Sequence, residues 1–242
     1  MATLPNRAAN SVLAALPSTL LRRLDKQFAA VTLEFGEILC EPGELIRQVY
    51  FPGNAVISLL TLVDGRIALE VGLVGREGMV GVPLVLGVDR SSVRVLVQGA
   101  GAALRMDAQP FLTILAASPP LQQELHRYTH ALMAQVAQTA ACNRFHSIEA
   151  RLARWLLMTR DRVQSAGFHL THEFLAHMLG VRRVGVTEAA SGLQRKALIA
   201  YSRGDILILS HRGLEDASCA CYEVVRGMND GAPRQRSWNR DR

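Results

Sequence analysis

The chain has 242 residues, of which 49% are hydrophobic and 20% charged, and its formal net charge is +6. This length suits one large or two ordinary domains, with enough apolar content for real cores. No run of about 18 apolar residues is present, which excludes a simple membrane-spanning helix. Pro5 and Pro17 interrupt the first residues, which lack the order of a signal peptide, so we predict a cytoplasmic protein.

The positive charge is distributed unevenly. Residues 1–142 have 11 Lys and Arg against 11 Asp and Glu, whereas residues 143–242 have 16 against 10. The whole excess therefore lies in the C-terminal hundred residues. This asymmetry predicts that a polyanion such as DNA is bound by the second part of the chain, and a solubilising surface is the alternative.

The four cysteines form no recognisable motif in the sequence. Cys40, Cys142, Cys219 and Cys221 contain no C-x-x-C pair and no ladder typical of a disulfide-rich domain. In a reducing compartment we predict that they are small buried hydrophobes without a redox role.

The first part of the chain predicts short helices followed by a β-rich domain. Residues 7–28 read as short helices, and residues 31–106 contain β-rich runs separated by glycines, prolines and the turn dipeptide Asp64-Gly65. The run SSVRVLVQ (91–98) alternates polar and apolar residues, as a half-buried strand does. Because no helix of crossover length separates these runs, they predict a β-roll or barrel.

Helices follow the β-rich part. Asp107 can cap a short helix that ends at Ala117, and SPP at 118–120 ends that helix and begins the next. The next helix is long, extending to about Ala141, and it has a narrow apolar stripe. The stripe consists of Leu121, Leu125, Tyr128, Leu132 and Val136. We predict that it forms a dimer seam with a second copy, and packing against the chain's own β-roll is the alternative.

The next segment predicts two helices at a corner. SIEARLARWLLMTRDRV (147–163) is an amphipathic helix, after which Thr171 caps a short helix and Gly180 supplies the positive φ of a turn. A second helix then begins with Arg182 and Arg183. The predicted inward side chains are Leu175, Ala176, Leu179, Val186, Ala189 and Leu193. This pattern predicts a helix-turn-helix whose second helix enters the major groove by its N-terminal residues.

A pair of strands follows the second helix. ALIAYSRGDILILS (197–210) reads as a strand, a turn at Arg203-Gly204-Asp205 and a strand. The helix-turn-helix is therefore predicted to be a winged variant.

The order β-roll, long helix and winged helix-turn-helix resembles the Crp–Fnr family of bacterial transcription regulators over residues 10–225. The resemblance implies an α+β fold with a cyclic-nucleotide-binding-like jelly roll (1–118), a dimerisation helix (119–143) and a DNA-binding domain (144–228). We predict a disordered basic tail at 229–242. The resemblance also implies a homodimer that reads a twofold-related promoter site, responds to an effector in the β-roll and contacts RNA polymerase.

The segment LGVRRVGVTEAASGL (179–193) aligns without gaps with the family's corner and recognition helix. Arg183 falls on the family's base-reading arginine. Val184 and Glu188 replace a base-reading glutamate and a second arginine of the cyclic-AMP receptor branch, so the promoter sequence of that branch is not implied. The predicted DNA-binding residues are Arg182, Arg183, Thr187, Glu188, Ser191, Thr171 and His172.

The segment REGMVGVPLVLGVDRSSVRV (76–95) resembles the family's cyclic-nucleotide cassette. Arg90 can pair with a cyclic phosphate, and backbone N–H groups near Gly81 can help to hold it. Val82 replaces the family's glutamate and cannot accept a hydrogen bond from a ribose 2′-hydroxyl, which predicts against ordinary cyclic AMP. The candidate effector residues are Gly78, Gly81, Val82, Arg90, Ser91 and Ser92. The alternative is that the glycines only turn the β-roll and that Arg90 is solvated.

The sequence contains few of the residue patterns that metal sites and catalytic sites require. No histidine precedes His126 and one cysteine lies in the first 141 residues, which predicts neither a His-ligated metal in the β-roll nor the N-terminal iron–sulfur cluster of the Fnr branch. His126 and His130 are four residues apart, a spacing that suits a metal, but no third ligand is near them in sequence. We therefore predict no metal, and the alternative function is an enzyme with its active site in the β-barrel.

Overall fold

The computed structural model describes residues 9–63, 67–163, 165 and 167–229. A β-roll comes first, a long helix follows, and a winged helix-turn-helix comes last. Among all the residues that the structure describes, no helix is both long enough and apolar enough to cross a membrane. The Asp64-Gly65 dipeptide lies outside the described residues, as does almost all of the predicted tail.

Two short helices and seven strands form the N-terminal part of the described chain, with one further helical turn between β5 and β6. Asn10 caps the first helix, because its side-chain oxygen accepts a hydrogen bond from the Leu13 amide at 3.2 Å. In chain order the elements are α1 (Ser11–Ala14), α2 (Ser18–Asp25), β1 (Ala29–Leu33), β2 (Ile38–Cys40), β3 (Gln48–Pro52), β4 (Val56–Val63), β5 (Ile67–Val74), α3 (Val82–Val85), β6 (Arg94–Gly99) and β7 (Gly101–Asp107).

The seven strands form two antiparallel sheets with the orders β1-β7-β3 and β2-β6-β4-β5. Strand β4 pairs with β5 on one side and β6 on the other. Residues from both sheets, among them Phe51, Ile57 and Val97, share one core and are essentially inaccessible to solvent. The predicted β-roll is confirmed.

The helix that follows the β-roll corrects one local prediction. Asp107 occupies the N-cap position of α4 (Ala108–Ala116), but its side chain makes no capping hydrogen bond. Gln48 Nε2 instead donates to Asp107 Oδ1 at 3.3 Å across the β3–β7 pair. The carboxylate is directed to the neighbouring strand, and the first amide of α4, that of Ala108, donates to the Arg47 carbonyl at 2.8 Å.

The long helix α5 runs from Pro119 to Phe145, so it begins at the predicted prolines and ends beyond Ala141. Its leucine stripe packs against the β-roll of the same chain, with Leu121 and Leu125 fully buried and Leu132 only 9% exposed. The prediction that this stripe is a dimer seam is wrong, and the alternative is correct. The long apolar side chains complete the core of the β-roll, which would otherwise be open to water.

The C-terminal part contains five helices and three strands among the described residues. They are α6 (Ile148–Val163), β8 (Gly167–His169), α7 (His172–Leu179), α8 (Arg183–Arg195), β9 (Ile199–Ser202), β10 (Asp205–Ile208), α9 (His211–Ala217) and α10 (Cys221–Asn229). The amphipathic helix, the corner and both wing strands are confirmed. Strand β8 and helices α9 and α10 were not predicted, and α10 includes Asn229, which we had assigned to the tail.

A second core holds this part together and extends onto the β-roll. Leu152 and Leu156 of α6 are fully buried among the helices and the wing. The same cluster includes Val56 and Leu60 of β4 and Leu73 of β5. The C-terminal part therefore packs directly on the sheet that contains β4 and β5.

Candidate functional site

The corner between α7 and α8 is fixed by a cap and a glycine. Thr171 Oγ1 accepts a hydrogen bond from the Phe174 amide at 3.1 Å and so caps α7. Gly180 ends α7 with a φ of 61°, and a Cβ at this position would lie 2.6 Å from Leu69 Cδ1 of β5. The glycine is required by its backbone conformation and by the close approach of the β-roll.

One face of α8 packs inward and the opposite face is open. Val186, Ala189 and Leu193 are buried, as predicted. Arg182 is the N-cap and Arg183 the first helical residue, so the positive end of the helix dipole adds to their charge. Between Arg182 and Ser191 the exposed residues are Arg182, Arg183, Val184, Thr187, Glu188 and Ser191. Such a face can meet phosphates and base edges in a DNA groove.

His172 is held by contacts inside the domain. Its ring stacks on Tyr201 of β9 with centroids 4.2 Å apart, and its Nδ1 lies 3.0 Å from Thr187 Oγ1. Burial and the positive charge of Arg183 lower the pKa of His172, which favours the neutral imidazole. His172 therefore connects α7, α8 and the wing, and its contact with DNA stays a prediction, as for the other six candidates.

The wing is a small sheet in which β10 lies between β8 and β9. The turn from β9 to β10 contains Arg203 and Gly204, which have φ values of 51° and 94°. Two successive residues with positive φ give a tight turn that matches the twist of a hairpin. This turn leaves Arg203 exposed at the tip of the wing, where its charge is available to a phosphate.

A cavity of about 830 Å³ opens in the β-roll, large enough for a small organic ligand. Five of the six candidate effector residues line it: Gly81, Val82, Arg90, Ser91 and Ser92. The sixth, Gly78, does not line the cavity but lies against Tyr128 of α5. A side chain at this position would collide with the Tyr128 ring.

The walls of the cavity are mainly apolar, with a few charged groups. Leu59 and Val71 contribute from the β-roll, and Leu132 and Val136 contribute from α5. A ligand in the cavity would therefore touch the long helix directly. The charged residues of the lining are Glu44, Arg47 and Arg90.

Arg90 is partly used by the protein itself. Its Nη1 donates to the Gly43 carbonyl at 2.7 Å, while the side chain remains exposed. The Ser91 hydroxyl donates to the Val93 carbonyl at 2.7 Å. The guanidinium of Arg90 keeps other N–H groups that can pair with an anionic ligand.

A buried polar network joins the β-roll to α6. Trp155 Nε1 donates to Glu70 Oε1 at 2.9 Å, and Ser58 Oγ lies 2.7 Å from Glu70 Oε2. Gln98 Nε2 donates to Thr159 Oγ1 at 3.1 Å. Burial raises the pKa of Glu70 to about 7, although its two hydrogen-bond partners act in the opposite direction. Because these groups are buried and satisfy one another, the network fixes how α6 lies on the sheet.

The face of α5 opposite the leucine stripe is open. Met133 is 64% exposed, and Ala137 and Ala140 are exposed one and two turns later. His126 and His130 extend this stripe toward the N-terminus, and the described residues place no third potential metal ligand beside them. Small and apolar side chains at spacings of three and four allow the close approach of a second helix.

Sequence reasoning missed a group of four side chains. Cys142, His146, Cys219 and Cys221 come together where the end of α5 meets the start of α10. The three cysteines are buried, as predicted, but they form a cluster with a histidine. The available signals were the spacing of four between Cys142 and His146 and the Cys-x-Cys pair, which lie on segments far apart in the sequence.

The geometry defines a class of protein. A winged helix-turn-helix with an open, arginine-led helix is a DNA-binding domain. A long helix joins it to a jelly roll that contains a ligand-sized cavity.

Comparisons with known proteins identify one domain and a shared fold. Residues 150–217 match the Crp-like helix-turn-helix domain. The fold is similar to that of a protein from Eubacterium rectale described as a transcriptional regulator of the crp/fnr family, with 16% identity, coverage of 86% of this chain and 98% of that chain, and a TM-score of 0.68. Comparison with curated protein sequences gave no match. Residues 150–217 therefore contain a Crp-like helix-turn-helix domain, and the fold of the chain is similar to that of a crp/fnr regulator.

Two further solved structures share the fold. FixK2 from Bradyrhizobium japonicum is 12% identical, with coverage of 80% of this chain and 98% of that chain and a TM-score of 0.67. The c-di-GMP responsive global regulator CLP from Xanthomonas campestris is 14% identical, with coverage of 80% and 100% and a TM-score of 0.66. At these identities the likeness establishes the architecture of both parts of the chain.

Proposed function

We propose that this DNA-binding regulator acts as a homodimer, in which α8 of each copy reads one half of a twofold-related promoter site. The exposed, arginine-led face of α8 is the observation that supports the proposal most directly. The excess positive charge of residues 143–242 adds attraction to the phosphate backbone. A protein with this function acts on the chromosome in the bacterial cytoplasm. Because the chain resembles the Crp–Fnr family, the proposal also includes a contact with RNA polymerase.

The homodimer is supported by the open face of α5. One α8 can read only a few base pairs, so selectivity requires two copies on neighbouring turns of DNA. The stripe that includes Met133, Ala137 and Ala140 can meet its own copy across a twofold axis. The leucine stripe is unavailable for this contact, because it completes the β-roll.

The DNA-binding function is tested by fragment selection. We expect the full chain to retain a few genomic fragments over bulk DNA at about physiological salt in a mobility-shift assay. Footprints on those fragments should show two half-sites separated by about 10 to 10.5 base pairs or a multiple of that spacing. Equal retention of all fragments, or of none, would contradict the proposal.

The proposal includes a small effector in the β-roll cavity. Arg90 supplies positive charge for an anionic group, while the apolar walls suit a less polar body. An occupant would contact Leu132 and Val136, and so a change of occupancy can act on α5 without an intermediate element. The side chain of Val82 offers no acceptor for a ribose 2′-hydroxyl, which disfavours ordinary cyclic AMP.

Replacement of Arg90 by alanine is expected to abolish stabilisation of the protein by an anionic effector. A ligand at 100 times its Kd adds about 2.7 kcal/mol to the free energy of unfolding, and losing the charge contact removes most of this gain. The measurement is thermal unfolding of wild type and Arg90→Ala with a panel of nucleotides, and Arg23→Ala is the control because Arg23 is exposed on α2. Equal stabilisation of both proteins by cyclic AMP would show that Arg90 and Val82 are misassigned.

The alternative function is an enzyme whose active site is the β-roll cavity. Among the described residues that line this cavity, Glu44 is the one carboxylate and no histidine is present. A nucleophile with an adjacent base, or a pair of carboxylates, would be the expected arrangement for hydrolysis. The observed lining favours binding, and we propose a regulator in place of an enzyme.

A further inference from the structure

The cluster of Cys142, His146, Cys219 and Cys221 has the composition of a metal site. Cys142 and His146 lie one turn apart at the C-terminal end of α5, Cys221 is the first residue of α10, and Cys219 lies just before that helix. Each residue offers one ligand atom, and these four atoms all lie within 4.8 Å of one another. Three thiols and one imidazole are a ligand set typical of structural zinc.

The spacing of the ligand atoms fits a tetrahedron. Zinc binds sulfur at about 2.3 Å and imidazole nitrogen at about 2.0 to 2.1 Å, so the edges of such a site are about 3.5 to 3.8 Å long. Cys142 Sγ lies 3.4 Å from Cys219 Sγ, and Cys221 Sγ lies 3.5 Å from His146 Nδ1. The remaining distances need to shorten by no more than about 1 Å to close the tetrahedron.

Two buried arginines lie beside the cluster and supply positive charge for thiolates, the form of cysteine that binds metals. Arg151 and Arg154 are both buried, and the Nε atom of each has no hydrogen-bond partner within the described chain. Three thiolates and Zn²⁺ together have one negative charge, which these guanidiniums can balance.

An outer residue also orients one ligand. Gln138 Nε2 donates to Cys221 Sγ at 3.0 Å from the preceding turn of α5. Hydrogen bonds of this kind hold metal ligands in position in known sites. A disulfide between Cys142 and Cys219 would use two of the sulfur atoms and would leave the convergence of Cys221 and His146 unexplained.

We propose that Cys142, His146, Cys219 and Cys221 bind one Zn²⁺ ion, which fastens the C-terminal helix α10 to the end of α5. The candidate site is separate from the effector cavity and from the exposed face of α8. It lies where the long helix leads into the DNA-binding domain, so the ion stabilises the connection between the two. The inference does not depend on the proposed dimer or effector.

The first test uses Co²⁺ as a spectroscopic substitute for Zn²⁺. Full-length protein is freed of metal by a chelator, kept reduced by a phosphine and titrated with Co²⁺. We expect one Co²⁺ per chain, with sulfur-to-cobalt charge-transfer absorption and the intense visible bands of tetrahedral cobalt, which are lost when Zn²⁺ is added. Weak octahedral bands, or no saturable binding by the reduced chain, would overturn the proposal.

Single variants identify the ligands. Cys219→Ser and His146→Gln should weaken Co²⁺ binding by more than the roughly 10- to 100-fold that loss of an outer residue costs, and Gln138→Ala should fall within that range. Cys40→Ser is the matched control, because Cys40 lies in β2 of the β-roll, and it should bind one Co²⁺ as wild type does. Equal binding by all four variants would place the metal elsewhere.

A thiol count tests the site in the wild-type chain and needs no variant. An aromatic disulfide reagent should modify the half-buried Cys40 at the same rate with and without Zn²⁺, whereas the three buried thiols should react much more slowly when Zn²⁺ opposes the local opening that exposes them. The same reaction rates of these three thiols with and without Zn²⁺, or a Cys142–Cys219 disulfide that persists in the presence of the reductant, would refute the zinc site.

Discussion

Replacing Met133 and Ala137 together by glutamate is expected to convert the proposed dimer to a monomer of 26.5 kDa. Both side chains lie on the open face of α5, so the change leaves the core of the β-roll intact. In a twofold dimer the new carboxylates of one helix would face those of its partner, and their repulsion and desolvation oppose association. Light scattering of the purified proteins measures the mass.

The same variant should lose most of its selective DNA binding. A monomer meets one half-site, so its affinity should fall by about 10³-fold or more, toward the range of non-specific binding. Thr113→Glu with Ala116→Glu is a matched control, because these residues are exposed on α4 and lie outside the stripe. If the Met133 and Ala137 variant remains dimeric, the interface uses another surface.

The assignment of the two faces of α5 shows where sequence patterns are ambiguous. Both faces have side chains at spacings of three and four, and the leucine stripe gives the stronger signal. A stripe of long apolar residues indicates burial but does not say against which partner. In the structure Leu121 and Leu125 fill the β-roll, while Met133 and Ala137 stay open. The size and shape of the core thus decided a question that periodicity left open.

The helix-turn-helix could be predicted because its signals are local. The Thr171 cap, the Gly180 corner and the inward residues of α8 each follow from rules that act within one turn of helix. The arginines at the start of α8 are exposed because Val186, Ala189 and Leu193 turn the other face of the helix toward the core. The structure confirmed this geometry, whereas the partners of the arginines on DNA stay a prediction.

The Cys and His cluster could not be predicted, because its members meet only through tertiary packing. Cys142 and Cys219 are 77 residues apart in sequence, and α10 itself was not anticipated. A spacing of four between Cys142 and His146 is common by chance on a helix. Only the folded arrangement, in which α10 lies against α5, distinguishes a candidate metal site from four ordinary buried residues.

The residues of the cavity could be predicted from the sequence only in part. Gly81, Val82 and Arg90 were selected from a segment that resembles a nucleotide cassette, and the structure gathers them around one space. The contribution of Leu132 and Val136 was missed, because the stripe that contains them was assigned to a partner chain. Because the leucine stripe of α5 packs on the β-roll, Leu132 and Val136 of this stripe connect the cavity to the long helix, and the long helix leads to the DNA-binding domain.

The two arginines at the start of α8 are expected to differ in what they contribute to DNA binding. Arg183 is the first helical residue and Arg182 the N-cap, and both are exposed. The fork of donors on Arg183 suits O6 and N7 of guanine, whereas Arg182 lies at the corner, where a phosphate is within easier reach. Arg183→Ala should cost about 1–3 kcal/mol per half-site and relax the base preference at one position in each.

Arg182→Ala should weaken binding to all sequences alike and leave the preferred sequence unchanged. Loss of one phosphate contact in each copy should lower the magnitude of the salt slope by about 2 for a dimer. Site selection and salt-dependent affinity measurements on both variants separate these effects. Arg195→Ala is the control, because Arg195 is exposed at the opposite end of α8. If Arg183→Ala leaves the selected sequence unchanged while Arg182→Ala alters it, the two roles are reversed, and α8 enters the groove in a different register.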